Sequence, residues 1–245
     1  MKLLFYLSIL TLLLTSCQQN VSIEPLVTGQ NYYPLEVGKY ITYQVDSVLF
    51  DPTDGRTVRD SSSNQIRETV VDSWTAEDGK AMFRIERAIY EADTDEWRVT
   101  DVYATYADEL EAVRVEENLS FTKMKFPFRE GQRWEGLNFN PNLEVFIADE
   151  PIEMFKNWGS VTRTIGEPMQ IDDFNFTAVT KIELANDTNA IELRTGFEYY
   201  ARNIGLVYRE LYILDTQNTL AADDVVWADK AEEGFLMTQK VVDFN

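Results

Sequence analysis

Cys17 is the only thiol of this chain, and no histidine stands anywhere in its 245 residues. Nucleophilic chemistry of the Cys-His or Ser-His-Asp type therefore lacks its base. Zinc sites built from Cys and His are excluded in the same way, and a lone cysteine forms no disulfide within the chain. What remains is carboxylate, lysine and tyrosine chemistry. Two carboxylates could hydrolyse a glycosidic bond, Lys or Tyr could move a proton, and oxygen ligands could hold a hard cation. No spacing isolates such a set: Asp51 and Asp54 miss the D-x-[DN]-x-[DN]-G pattern of a calcium loop and read as turn residues. No catalytic residue, metal or cofactor is assigned, and the chain reads as a non-enzyme.

The surroundings of Cys17 are more specific. Lys2 gives a positive start, Leu3–Leu14 an apolar run and Thr15-Ser16 small residues before the cysteine, which together form an export signal over residues 1–16. The apolar run is shorter than the ~20 residues that span a bilayer. The tetrapeptide Leu14-Thr15-Ser16-Cys17 resembles the lipobox of bacterial lipoproteins. That resemblance implies diacylglyceryl attachment at the Cys17 sulfur, palmitate-like acyl chains and cleavage just before it. Two acyl chains suffice for stable anchoring, so no further membrane segment is required. In such lipoproteins Asp after the cysteine retains the protein at the inner membrane; Gln18 stands here instead, which implies the outer membrane. Gln18-Gln19-Asn20 lacks the acidic run that accompanies surface display, which implies a periplasm-facing protein.

Charge narrows the partners. The formal net charge is −20, from 22 basic and 42 acidic residues; removing residues 1–16, whose one charge is Lys2, makes it −21. Such a chain repels polyanions, so neither nucleic acid nor anionic headgroups are expected as electrostatic partners. The acids are dispersed, as at Glu109, Glu111, Glu116 and Glu117, in the manner of solvated faces. The lipid is left as the expected membrane contact, with an envelope protein or an apolar ligand as possible further partners.

The elements that must carry these features are strands. Residues 17–31 hold the lipidated cysteine and an aperiodic tether, and residues 32–245 form one domain. Ile41, Tyr43, Val45, Ser47 and Leu49 alternate with polar neighbours. Asp51–Asn64 is polar and turn-rich and predicts a mobile hairpin loop. Ile66–Trp74, Ala81–Tyr90 and Trp97–Tyr106 form a meander turned at Asp78-Gly79 and Asp93-Thr94-Asp95. Leu110–Val115 and Thr122–Phe128 follow, the latter with Thr122, Met124, Phe126 and Phe128 set against Lys123 and Lys125. Asp149-Glu150-Pro151 predicts a short capped helix over Ile152–Trp158. Phe174, Phe176, Ala178, Thr180, Ile182 and Leu184 share one face of a long strand. Ile191, Leu193, Thr195, Phe197 and Tyr199 share one face of its hairpin partner. Leu206–Leu214 and Leu236–Phe244 close the chain. Roughly ten to thirteen strands with almost no helical period predict an all-β fold. The expected form is a curved antiparallel sheet, a barrel or half-barrel, with at most one or two short helices.

Three segments resemble an uncharacterised family of Gram-negative envelope lipoproteins. They are Tyr32-Tyr33-Pro34-Leu35-Glu36-Val37-Gly38-Lys39-Tyr40, Gly131-Gln132-Arg133-Trp134-Glu135-Gly136 and the run from Glu198 to Glu210 that contains Tyr199-Tyr200-Ala201 and Gly205-Leu206-Val207-Tyr208. The resemblance implies a curved antiparallel sheet and carries over no catalytic or binding residue. Gly38, Gly131 and Gly205 suit turns, and Tyr40, Trp134 and Tyr208 suit core anchors. Three functions follow as expectations. The first is a lipid-anchored envelope protein with a non-enzymatic binding or structural role. The second is a carrier of an apolar ligand or lipid in a half-barrel, using Trp74, Phe83, Trp97, Phe126, Phe174, Phe176 and Tyr208. The third is a glycan-binding or carboxylate-dependent glycan-active protein. An open or a filled concave face separates them.

Overall fold

A computed structural model describes residues 28–53, 56–219 and 225–245. The signal segment 1–16, Cys17 and the tether as far as residue 27 lie outside the described residues.

The described residues form fourteen strands. β1 (Tyr40–Asp51), β2 (Val58–Thr75), β3 (Ala81–Glu91), β4 (Glu96–Ala107), β5 (Glu111–Glu116) and β6 (Leu119–Lys125) form a meander. After β7 (Arg133–Trp134) and a small hairpin of β8 (Val145–Ile147) and β9 (Glu150–Ile152), a second meander runs through β10 (Ser160–Ile171), β11 (Phe174–Thr188), β12 (Glu192–Ala201), β13 (Gly205–Asp215) and β14 (Glu233–Phe244). β1 and β14, the first and last strands, pair antiparallel and join the two meanders into one twelve-stranded sheet ordered β6-β5-β4-β3-β2-β1-β14-β13-β12-β11-β10-β7. The all-β expectation holds, and the described helical content is a 3-10 turn at Gln30–Tyr32 and one α-turn at Trp227–Lys230.

The sheet curls until its two edges nearly meet. Thr122 donates its amide to Gly136 O at 2.8 Å, and Asn138 donates to Ser120 O at 2.9 Å. Phe121 and Leu137 form an isolated bridge between these bonds. Trp134 Nε1 donates to Thr122 O at 2.8 Å, so the tryptophan of the Gly131–Gly136 segment serves the seam. Edge strands left open invite pairing with other chains, and this contact covers them. Trp134→Phe should cost about 1 kcal/mol, the net worth of one hydrogen bond. Hydrogen exchange should locate that loss at the Thr122 and Asn138 amides rather than across the sheet.

Two expectations are corrected. Val58–Asn64, placed by its composition in a loop, continues β2 and pairs residue for residue with Val45–Asp51. Its first eight residues are all exposed, so neither face carries the apolar alternation that marks a strand; backbone pairing and contacts such as Ser47 Oγ to Ser62 Oγ at 2.8 Å hold it. The predicted helix over Ile152–Trp158 is absent. Ala148 and Asp149 both take positive φ, 51° and 64°, which turns β8 into β9 as a tight hairpin. The following residues lodge Phe155 in the core, between Phe139 at 5.1 Å and Trp158 at 5.2 Å.

The main core fills the barrel. Tyr43, Met124, Ile182, Tyr200, Val207 and Val241 are each at most 2% exposed and belong to one cluster. Tyr32, fully buried, packs on Phe128 at 5.5 Å.

Candidate functional site

Ion pairs cross the lumen. Glu68 stands on β2, and its cross-strand neighbour on β3 is Arg87. Arg114 lies on β5, Lys123 on β6, Glu198 on β12 and Arg209 on β13. Lys123 Nζ donates to Glu198 Oε1 at 2.6 Å, although β6 and β12 are not neighbours in the sheet. Arg114 donates twice to Glu68, both at 2.8 Å, from three strands away. Such contacts are possible only through the interior.

Two of the acids are shared. Glu68 also accepts from Arg87 Nη2 at 2.7 Å, and Glu198 accepts from Arg209 Nε at 2.9 Å and from Tyr200 Oη at 2.7 Å. Glu116 pairs with Arg114 Nε, an atom without an aligned hydrogen bond. Four cations, Arg87, Arg114, Lys123 and Arg209, thus face three carboxylates, Glu68, Glu116 and Glu198. Asp101, across the β3–β4 register from Arg87, makes no ion pair among the described residues. The surplus positive charge falls at Glu198, where Lys123 and Arg209 converge on one oxygen. Their side chains are 10% and 11% exposed, and that of Glu198 is 1% exposed.

Burial by itself raises a carboxyl pKa, but the cations overcome it. Lys123 and Arg209 hold Glu198 down to about 2 against that desolvation. Burial also opposes Arg114 and Arg87 at Glu68, which they keep well below the usual carboxylate range. At Lys123 desolvation wins, helped by Arg209 and opposed by Glu198, and its pKa is lowered. Burial pushes the Tyr33 phenol up to about 12.

A cavity of about 80 Å³ adjoins this network. Its buried floor is formed by Glu68, Arg114, Lys123 and Tyr200, with half-buried Arg209 beside them. Its half-exposed rim is formed by Pro34, Leu35, Lys39, Tyr40 and Ile204. The tyrosine protons are already committed. Thr105 Oγ1 donates to Val113 O at 2.7 Å, so at the 3.0 Å contact with Thr105 it is Tyr33 that donates. Tyr43 Oη donates to Leu206 O at 3.1 Å.

The apolar pattern is a poor guide to two of the strands that build this site. On β12 the buried residues are Arg194, Gly196, Glu198, Tyr200 and the terminal Ala201, while Leu193, Thr195, Phe197 and Tyr199 are only half-buried and Ile191 lies before the strand, exposed. The inner face is thus the one opposite the alternating set Leu193, Thr195, Phe197 and Tyr199. On β6 Thr122, Lys123 and Met124 are all buried, so Lys123 is not the solvated partner its position suggested. The available signal was the run of Gly196, Glu198 and Tyr200 at alternating positions. A Cβ at Gly196 would stand 3.0 Å from Leu211 Cδ2 and 3.3 Å from Leu184 Cβ, so even an alanine there would press on both side chains.

The aromatics considered as a ligand lining are divided. Phe126 and Phe176 are buried core, Phe174 and Tyr208 pack at its margins, and Phe83 packs on a separate cluster of Val70, Ile85 and Tyr103. Trp74 is 43% exposed, and Trp97 lies outside against the Arg67 guanidinium at 4.5 Å. Gly38, Gly131 and Gly205 take positive φ, as turns require. Among the described residues, no group of three or more Cys, Asp or Glu side chains is placed to hold a metal ion.

No known family profile matches the chain, and no curated protein matches it. Two solved structures align with it. One, described as an exported protein with a YmcC-like fold from Bacteroides fragilis, shares 13% identity over 87% of this chain and 98% of that one, with a TM-score of 0.38. The other, described as a lipoprotein from Parabacteroides distasonis, shares 10% identity over the same fractions, with a TM-score of 0.36.

Proposed function

We propose that this chain is a lipid-anchored envelope protein, held by Cys17 at the outer membrane and facing the periplasm. Its role is non-enzymatic, in binding or in supporting an assembly. The observation that carries the reading is the filled barrel. A depression of about 420 Å³ is bordered by the exposed Ser61, Ser62 and Ser63 of β2, whereas the cavity beside the buried ion pairs, about 80 Å³, is well below the ~300–1,000 Å³ of a typical ligand pocket. It has room for a handful of waters rather than an acyl chain. Bulky core side chains and interlocked ion pairs occupy the lumen that a lipid carrier would keep open. The net charge of −20 keeps the domain soluble and away from anionic headgroups, so membrane attachment falls to the lipid.

Attachment is tested at the cysteine itself. Wild-type protein labelled with radioactive palmitate should fractionate with outer membranes. Cys17→Ser should lose the label and move to the soluble periplasmic fraction. A variant that stays with the membranes at the wild-type level would refute the anchor.

A further inference from the structure

The charged lining of the cavity is one-sided. Lys39, Arg114, Lys123 and Arg209 border it, against Glu68 as the one acidic side chain, and Asn245 lies on the same border. In a chain of net charge −20 this is a local inversion. Glu68 is fully engaged by Arg87 and Arg114. Glu198, which neutralises one of the pair Lys123 and Arg209, does not border the cavity. An unbalanced buried charge is costly, and Lys123 retains N–H donors beyond its single bond to Glu198. Since Tyr33, Tyr43 and Tyr200 spend their protons internally, these cations are the donors left for a guest. The upper wall is apolar, with Leu35, Ile41, Ile204 and Leu206.

We infer that the cavity is a binding site for a short-chain monocarboxylate, with its carboxylate on Lys123 and Arg209 and its aliphatic end toward Leu35 and Ile41. One negative charge balances the surplus at Glu198. A small apolar tail matches the wall, and the volume excludes anything much larger. The assignment is independent of the lipid anchor. It places a small-molecule site inside an otherwise filled scaffold.

The test uses the full-length lipoprotein in detergent with propionate as probe, at constant ionic strength in chloride. Propionate should raise the thermal midpoint saturably, and propylammonium should not. Lys123→Met, which leaves the Arg209–Glu198 pair intact, should weaken the response at least about tenfold, the effect of losing a charge-assisted hydrogen bond. Should that variant not fold, NMR contacts from ¹³C-propionate to the methyls of Ile41 and Leu206 in the wild type decide instead, and their absence overturns the site. A response equal for propionate and inorganic phosphate, or unchanged in Lys123→Met, would also overturn it.

Discussion

Glu198→Gln should destabilise the domain by about 3–5 kcal/mol, the cost of removing one partner from a buried ion pair. Glutamine keeps the size of the side chain and can still accept from Tyr200 Oη, now 2.7 Å from the carboxylate. What it removes is the charge on which Lys123 and Arg209 converge at 2.6 and 2.7 Å. Both cations then lose the carboxylate they touch, and Glu116, paired with Arg114, acts on them only from a distance. Lys123→Met gives the contrast. It leaves Glu198 paired with Arg209 and Tyr200, one charge against one, and should cost less than about 1.5 kcal/mol, as a volume-conserving change does. Urea unfolding of both variants checks the difference. If the two changes cost the same, the surplus charge is misplaced.

Gly234→Ala should be at least as damaging, for a reason that has nothing to do with charge. Gly234 lies in β14 with φ of 109° and pairs with both Phe50 and Leu214. A Cβ there would stand 2.0 Å from Ile213 O and 2.9 Å from Ile213 C. Those are backbone atoms of β13, so no side-chain rotation relieves the overlap. Either β13 and β14 part locally or the chain misfolds, and we expect a loss of about 4 kcal/mol or more, or no soluble protein. Gly38→Ala separates the clash from backbone strain. Gly38 has φ of 96°, and an alanine methyl there would meet nothing within 4 Å, so only the conformational cost of about 1–2 kcal/mol applies. A Gly234→Ala protein within about 1 kcal/mol of wild type would contradict the β13–β14 geometry.

The sequence was readable where one face of a strand is apolar and the other is wet. The first part of β11 satisfies this, with Phe176 buried between exposed Asn175 and Thr177; further along, Ile182 and Leu184 are core, but Val179 of the opposite face is buried with them. It misled where burial does not follow hydropathy. The lumen takes Glu198 and Arg194 because partners on distant strands neutralise them, and no local window contains those partners. Phe197 and Tyr199 can then face outward, under the Lys181 ammonium at 3.8 and 5.2 Å. Val58–Asn64 failed for the opposite reason, being a strand with no buried face at all. The β8–β9 hairpin hid behind an acidic Pro-containing stretch that also fits a helix start. The candidate site was therefore invisible residue by residue, although its ingredients, charged side chains at alternating positions, were on view.

The charge network inside the barrel belongs to the fold and holds it together. Folding depresses the Glu198 pKa from 4.5 to about 2. Its charged form therefore stabilises fully above about pH 4.5, and that contribution is lost as the pH falls through about 2. The window corresponds to a stabilisation on the order of 3 kcal/mol. The most direct measurement is the gap in unfolding free energy between wild type and Glu198→Gln, followed by urea titration from pH 7 downward. The gap should hold level to about pH 4.5 and then close towards pH 2. No gap at neutral pH, or one that persists unchanged at pH 2, would mean that Glu198 does not hold the barrel together through its charge.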